Sequence, residues 1–416
     1  MSRECARSRV ITLISFAVGA WFSLTLTGDV VAQDATAGGE AREFGSWWYQ
    51  DTLFETLEAG RRVLDDSGVT VEGSYTIDVS KSISGGIEHD SRTRSLLDLR
   101  ANIDVEKLLG FGAGQASVNF QSQVGPDAST VVGDLQAFSN IDAPNRHQLA
   151  EFWYELPIAD LLRLKVGKVD ANTEFSFVEA GAESIHSSSG FSPTIFTFPT
   201  YPDPAMSVNL FAKLWEGQQL GIGLYDGASV DGVTTGNNGI STFFEGSTDY
   251  FLIGELSQAW ASGRGFVGGW HHNGRFTDFS GGMERGVGGW YAGFEQTLYE
   301  DSSVDLPQLL SLFAVYAETD DDHVTEFERH FGGGLVFSSA YGDVANSTGL
   351  IAHTVELSGD PMAGFTENAE TAIELYHTVQ LLPWLAVQPD LQFIRHPGGA
   401  GVDNATVASL RVRIDF

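Results

Sequence analysis

Two short stretches set carboxylates, cations and an aromatic ring at alternate positions. Glu151, Trp153 and Glu155 alternate with Ala150, Phe152 and Tyr154, and a few residues later Arg163 and Lys165 alternate with Leu162, Leu164 and Val166. In extended backbone, alternate residues share a face. Each stretch therefore sorts charged groups to one side and apolar groups to the other. Acidic groups facing basic ones across neighbouring strands create a transverse field and a row of hydrogen-bonding partners, the chemistry of recognising a polar solute. Asp170 and Glu174 follow directly, and near the other end Glu374, Gln388, Asp390 and Gln392 take the same inward phase, with Arg395 just beyond. Taken singly, each of these also reads as a charge that merely solvates a wet wall. The grouping of Glu151, Trp153, Arg163 and Lys165 is what makes a site.

Bond-breaking chemistry is weakly signalled. Gly221-Ile-Gly-Leu-Tyr-Asp-Gly227 has the glycines of a phosphate loop without its lysine. His271 and His272 are adjacent, so in a strand they point to opposite faces, and no carboxylate stands at metal-ligand spacing. The run Asp320-Asp-Asp-His323 lacks the calcium-loop pattern, and no Gly-x-Ser-x-Gly elbow occurs. No cofactor and no metal are expected. A barrel hydrolase assembled from separate strands, or an adhesin, stays open as an alternative with a plugged interior.

The elements that must position these groups are strands. Val69, Val71, Tyr75, Ile77 and Val79 alternate with polar residues, as do Leu97, Leu99, Ala101, Ile103 and Val105, and finally Leu410, Val412, Ile414 and Phe416. A membrane-crossing strand needs roughly 9–11 residues, apolar toward lipid and polar toward the lumen. Such segments recur at about 69–80, 95–106, 113–123, 148–156, 161–169, 206–215, 219–225, 248–258, 263–272, 287–298, 309–319, 330–338, 350–358, 371–380, 384–394 and 405–416. Short gaps (107–112, 157–160, 216–218, 259–262, 381–383) largely alternate with long ones (124–147, 170–205, 226–247, 273–286). The expected fold is all-β: a transmembrane antiparallel barrel of about sixteen strands, with short periplasmic turns and longer extracellular loops. Closure removes the edges that an open sheet would leave unpaired in lipid. The segment 219–225 is short for a span, and the gap 339–349 is long for a turn.

The ends say where the chain goes. Arg3, Arg7 and Arg9 precede an apolar run from Val10 to Leu26, and Val30-Val31-Ala32 offers a small-residue exit. Residues 1–32 therefore read as a secretory signal peptide, with an uncleaved anchor as the alternative. The only cysteine, Cys5, lies before the apolar run, so the mature chain is expected to hold no thiol. It would carry a net charge of −33, against −32 for the whole chain, which argues against nucleic acid as a partner. Residues 33–68 form an N-terminal periplasmic extension: Leu53, Phe54, Leu57, Val63 and Leu64 fall near helical spacing and Gly68 stops them. This helix reads either as a plain cap on the barrel or as a gate. The barrel proper is 69–416.

Three stretches resemble the carbohydrate-selective porins of the OprB type. They are Glu151-Phe-Trp-Tyr-Glu with Leu164-Lys-Val-Gly-Lys-Val-Asp170 and Phe175, then Phe-Pro-Thr-Tyr-Pro at 198–202, and the C-terminal run from Thr371 through Trp384-Leu-Ala-Val-Gln-Pro-Asp to Arg411-Val-Arg-Ile-Asp-Phe416. The resemblance spans about residue 47 to the end. It implies a sixteen-stranded barrel that lets sugars diffuse across the bacterial outer membrane, where the pattern alone reaches only a barrel, by expectation a pore. A sugar would offer hydroxyls to the charged row and a ring face to Trp153. A terminal Phe416 resembles the signal read by barrel-assembly machinery, and lipopolysaccharide is the expected lipid neighbour. Related porins are trimeric or monomeric. The runner-up is a general, weakly cation-preferring porin, for which the acidic charge would suffice. The longest connection, 170–205, is too apolar for a solvated tail. It is expected to fold into the barrel as a constriction presenting Asp170, Glu174, Glu179 and Glu183, with a lid or a subunit contact as alternatives.

Overall fold

The computed structural model describes residues 58–227, 249–303, 308–342 and 344–416. The expected signal peptide, and the part of the N-terminal helix before residue 58, lie outside them. Sixteen strands follow one another: β1 (Val69–Ser84), β2 (Ser91–Asp104), β3 (Gln115–Val124), β4 (Arg146–Ile158), β5 (Leu162–Val169), β6 (Ala205–Trp215), β7 (Gln218–Asp226), β8 (Tyr250–Trp260), β9 (Gly263–Thr277), β10 (Met283–Asp301), β11 (Gln308–Thr319), β12 (Phe327–Tyr341), β13 (Val344–Leu357), β14 (Ala369–Leu382), β15 (Leu385–Arg395) and β16 (Ala405–Asp415). Each pairs antiparallel with its sequence neighbours, and β1 pairs with β16, so the sheet is a closed barrel. All sixteen expected segments carry a strand, but the second stops at Asp104, and Val105 opens a helix instead of continuing the alternation. The short segment at 219–225 is β7, and the long gap at 339–349 vanishes because β12 and β13 run on until Tyr341 faces Val344.

Helix α1 (Glu58–Ser67) ends at Gly68, whose backbone has φ +94°, a conformation that glycine adopts without strain. Arg61 Nη2 donates to Val71 O (3.2 Å), tying the helix to the start of β1. A second helix, α2 (Val105–Leu109), fills the β2–β3 turn; Asp104 caps it by accepting from the Lys107 N–H (2.9 Å).

The outer face is apolar and exposed along every strand, with Leu350, Ile373, Leu391 and Leu410 among many, as lipid requires. Aromatic rings bound it. Trp290, Tyr316 and Phe331 meet across β10–β12 with centroids 4.9 and 5.0 Å apart, the first pair tilted and the second edge-to-face, and Trp260 meets Phe294 lower down. On β10, Trp290 and Tyr299 lie nine positions apart, about 23 Å along the membrane normal at a tilt of ~40°, matching an apolar band about 25 Å tall.

Two extracellular connections fold inward. One, 125–145, carries α3 (Ser129–Val132); the other is 170–204. Asn140 N–H donates to Ile185 O (2.7 Å) and Ser187 N–H to Ala137 O (3.1 Å), so they form one insert. The insert turns half of the lumen wall apolar. Phe175, Val178, Ile185, Ile195 and Phe198 of the insert are buried, and all but Ile185 share a core with the lumen-facing Phe211, Tyr225, Phe251, Trp270, Tyr291 and Phe313. Rigid polar-in alternation therefore fails from β6 to β14: there the inner face packs against protein. Gly223 belongs to this wall. A Cβ there would lie 2.6 Å from the Tyr225 ring and 2.9 Å from Phe175, so Gly221 and Gly223 make room for the insert.

Candidate functional site

The site grows from β4 and β5, which pair in register with Glu155 opposite Lys165 and Trp153 opposite Gly167. Past the bulge at Ala150, that register sets Glu151, Trp153 and Glu155 of β4 and Arg163 and Lys165 of β5 into the lumen. Arg163 forks onto Glu174 through Nη2–Oε2 (2.7 Å) and Nη1–Oε1 (3.2 Å), and also holds Glu155 (2.7 Å). Lys165 donates to Glu174, lies 3.6 Å from Glu155, and places its ammonium 3.9 Å from the centroid of the Trp153 ring. Arg163 lies equally close, at 3.9 Å, over Phe211. Arg100, on β2, donates to Glu151. Burial would push the Glu174 carboxyl up, but the hydrogen bond and charge of Arg163 and the charge of Lys165 outweigh it and hold it below the usual range. Three cations and three carboxylates thus cancel.

Glu151, Trp153, Glu155, Arg163, Lys165 and Glu174 are brought together. Asp170 is close but otherwise employed. It caps the turn after β5 by accepting from Asn172 N (2.9 Å), Thr200 Oγ1 (2.6 Å) and Tyr201 N (3.0 Å). Burial and the charge of Glu151 raise its carboxyl to about 6.

The C-terminal group lies on the far wall and anchors the insert. Glu374 accepts from Ile185 N–H (2.7 Å) and from the Ser184 hydroxyl, Gln388 donates to Glu183 O (2.8 Å), and Gln392 donates to Phe138 O (2.8 Å) and Asp390 (3.2 Å). Arg395 does not join them. It shares the phase of Leu391 and Phe393, which is the lipid face, and its side chain is exposed outside the barrel. Ala150 also departs from expectation. A register shift opposite Asn119–Phe120 leaves it unpaired, and it is 1 % exposed rather than lipid-facing.

Infolding of 170–204 is therefore the arrangement found, and its further anchors escaped sequence reasoning. Glu255 accepts from Ser176 N–H (2.8 Å), Glu295 from Ala180 N–H (2.8 Å), and Ser189 Oγ meets His353 Nε2 (2.8 Å). His353 in turn stacks between His186 and His330. Arg100 could have been found, since it holds the inward phase of its strand. The exposed side of the loop carries Phe177, Glu179 and Glu183. Below Arg100, a cavity of about 410 Å³ opens among Arg61, Glu72, Asp98, Trp384 and Asp415.

Loop 125–145 is pinned partly by buried acids. Burial, with the charge of Glu370 beside it, pushes the Asp134 carboxyl up to about 8, and burial raises Asp142 to about 7 against the pull of Arg94. A carboxyl raised above its ordinary 3.8 favours the folded loop most at low pH, and that contribution is lost as pH rises through the folded value. The loop should therefore loosen progressively as pH rises from about 4 to about 8, between the ordinary and the folded values. Hydrogen exchange over 134–142, corrected for the intrinsic rate, should quicken in that window, and Asp134→Asn should flatten the response.

A closed sixteen-stranded barrel with an infolded loop and a charged eyelet defines a porin of the bacterial outer membrane, a channel. The family model of the carbohydrate-selective porin, OprB family, matches residues 88–416, and the chain belongs to that family. The structure of Pseudomonas putida OprB at high pH is similar over 88 % of this chain and 99 % of that one, with a TM-score of 0.79 at 18 % identity. The low-pH structure of the same porin gives 0.57 at 15 % over the same shares. Both likenesses are of fold. Porin B of Pseudomonas aeruginosa is 40 % identical over 58 residues, a match spanning 14 % of this chain and 13 % of that protein.

Proposed function

We propose that the chain passes neutral mono- and oligosaccharides across the outer membrane by passive diffusion, through the eyelet of Glu151, Trp153, Glu155, Arg163, Lys165 and Glu174. The observation that carries this is the Lys165–Trp153 contact beside the Arg163–Glu155–Glu174 fork. An aromatic face takes the apolar side of a pyranose ring, while fixed donors and acceptors replace the water around its hydroxyls. Because the paired charges cancel, a neutral solute meets strong hydrogen-bonding groups without an ion barrier. Glu374, Asp390 and Gln392 serve this reading from behind by holding the loop, and Asp170 by shaping its first turn.

The acidic side chains of Glu179 and Glu183 on the exposed side of the loop favour the second reading, a general pore with weak cation preference. Titrating single-channel conductance in a planar bilayer separates the two. Glucose and maltose should block saturably, an uncharged non-sugar of matched size should not, and Trp153→Ala should weaken the sugar block roughly tenfold, about 1.4 kcal/mol. Equal block by sugar and non-sugar would leave only the general pore.

Phe416 also enters the proposal. Its N–H donates to Gly73 O and its carbonyl accepts from Gly73 N–H, both at 2.9 Å, so the last residue closes the seam. Recognition of that residue by assembly machinery would then precede closure.

A further inference from the structure

Among the described residues, several cations inside this barrel are paired with carboxylates, while two on its outside have none within salt-bridge distance. Within the lumen Arg94, Arg100, Arg163, Lys165, Arg264 and Arg411 each meet a carboxylate. On the outer face Arg329 does too, shared among Glu318, Glu328 and Glu356. Arg275 and Arg285 differ. They face each other directly across β9 and β10 at the extracellular end, both are exposed, and neither guanidinium has a carboxylate within 4.0 Å among the described residues. Their neighbours in the same register, Phe276 and Glu284, mark the inner side: Phe276 packs on Phe196 and His272, and Glu284 meets His323 of the 320–326 loop. The arginine pair therefore projects outward, since directly opposed residues share a face.

Like charges opposed across a sheet repel, and no carboxylate among the described residues bridges this pair, in a chain of net charge −32 with only 23 basic residues to place. Two guanidinium forks side by side match the planar, bidentate recognition of a phosphate. Their height fits as well. Arg285 lies five positions beyond Trp290 on β10, about 12 Å above the upper aromatic ring at a tilt of ~40°. That is the zone of charged headgroups, above the belt where Trp and Tyr mark the interface. We propose that Arg275 and Arg285 form a binding site for a phosphate group on the headgroup of an outer-leaflet glycolipid, made directly to the protein and without a bridging divalent ion.

The test uses the full porin in detergent micelles, with bisphosphorylated lipid A as the probe and native mass spectrometry as the readout. Wild type should bind lipid A in excess EDTA, bind its dephosphorylated form roughly tenfold more weakly, and lose lipid A as salt is raised. Inorganic phosphate at the lipid's concentration should not compete. The R275Q/R285Q variant should keep its heat-modifiable folded migration and its sugar block, and lose affinity roughly tenfold. Unchanged affinity in that variant would overturn the site. So would binding by wild type that EDTA abolishes, that ignores the phosphates, or that free phosphate displaces; the wild-type arms decide the matter even if the variant misfolds.

Discussion

Replacing Glu374 by alanine should raise the single-channel conductance and add open-state noise. This carboxylate is 1 % exposed and accepts from the Ile185 amide and the Ser184 hydroxyl of the insert. Truncation removes the acceptor and leaves both donors inside a barrel, at about 1–3 kcal/mol each. The segment around 183–189 is the part of the loop farthest in sequence from its roots on β5 and β6, and its release clears the far side of the passage. Glu374→Gln should do much less, because an amide oxygen still accepts from Ile185. Conductance in a planar bilayer, with protease cleavage of the loop as a second readout, checks both. A Glu374→Ala channel with wild-type conductance and a protected loop would falsify the anchoring role.

Arg163→Ala should convert a balanced eyelet into a cation-selective one. Wild type sets Arg100, Arg163 and Lys165 against Glu151, Glu155 and Glu174; the variant leaves an uncompensated carboxylate between the strands. A unit charge at 4 Å is worth about 1 kcal/mol in bulk water and more near protein, roughly a fivefold bias in ion partitioning. Reversal potential under a salt gradient reports this directly. Sugar block should weaken in parallel, since Glu174 loses its fork and Phe211 its cation. If the reversal potential stays at the wild-type value, current passes somewhere other than this eyelet.

Most of the barrel was legible because lipid enforces alternation on the outside of every strand, whatever lies within. The same rule turns Glu151, Trp153, Glu155, Arg163 and Lys165 to one face, where the structure sets them beside Glu174. It misled where the backbone breaks step or the period runs out. Ala150 sits on a bulge that no composition marks, and Arg395 was assigned by proximity to Gln392 although it stands three residues away and hence on the opposite face. Nor could alternation show the apolar inner wall: Phe211, Tyr225 and Phe251 are buried against the infolded loop, a partner that the pattern within a strand does not encode. Asp170 looked like a pore carboxylate, and only its three local donors reveal a cap.

The insert also acts on the barrel that houses it. Rooted between β3 and β4 and between β5 and β6, it is tied to β8, β10, β13, β14 and β15, and through Asp78–Ser139 and Arg411–Asn140 to β1 and β16 at the seam. A thin cylinder is soft toward flattening into an ellipse, and a strut across its diameter stiffens that mode more than any thickening of the wall. The extracellular half of this barrel is braced in that way, while among the described residues the periplasmic half holds the cavity below Arg100. Shape fluctuations, and any lipid-driven compression, should thus be taken up at the inner mouth, leaving the bore at the eyelet constant.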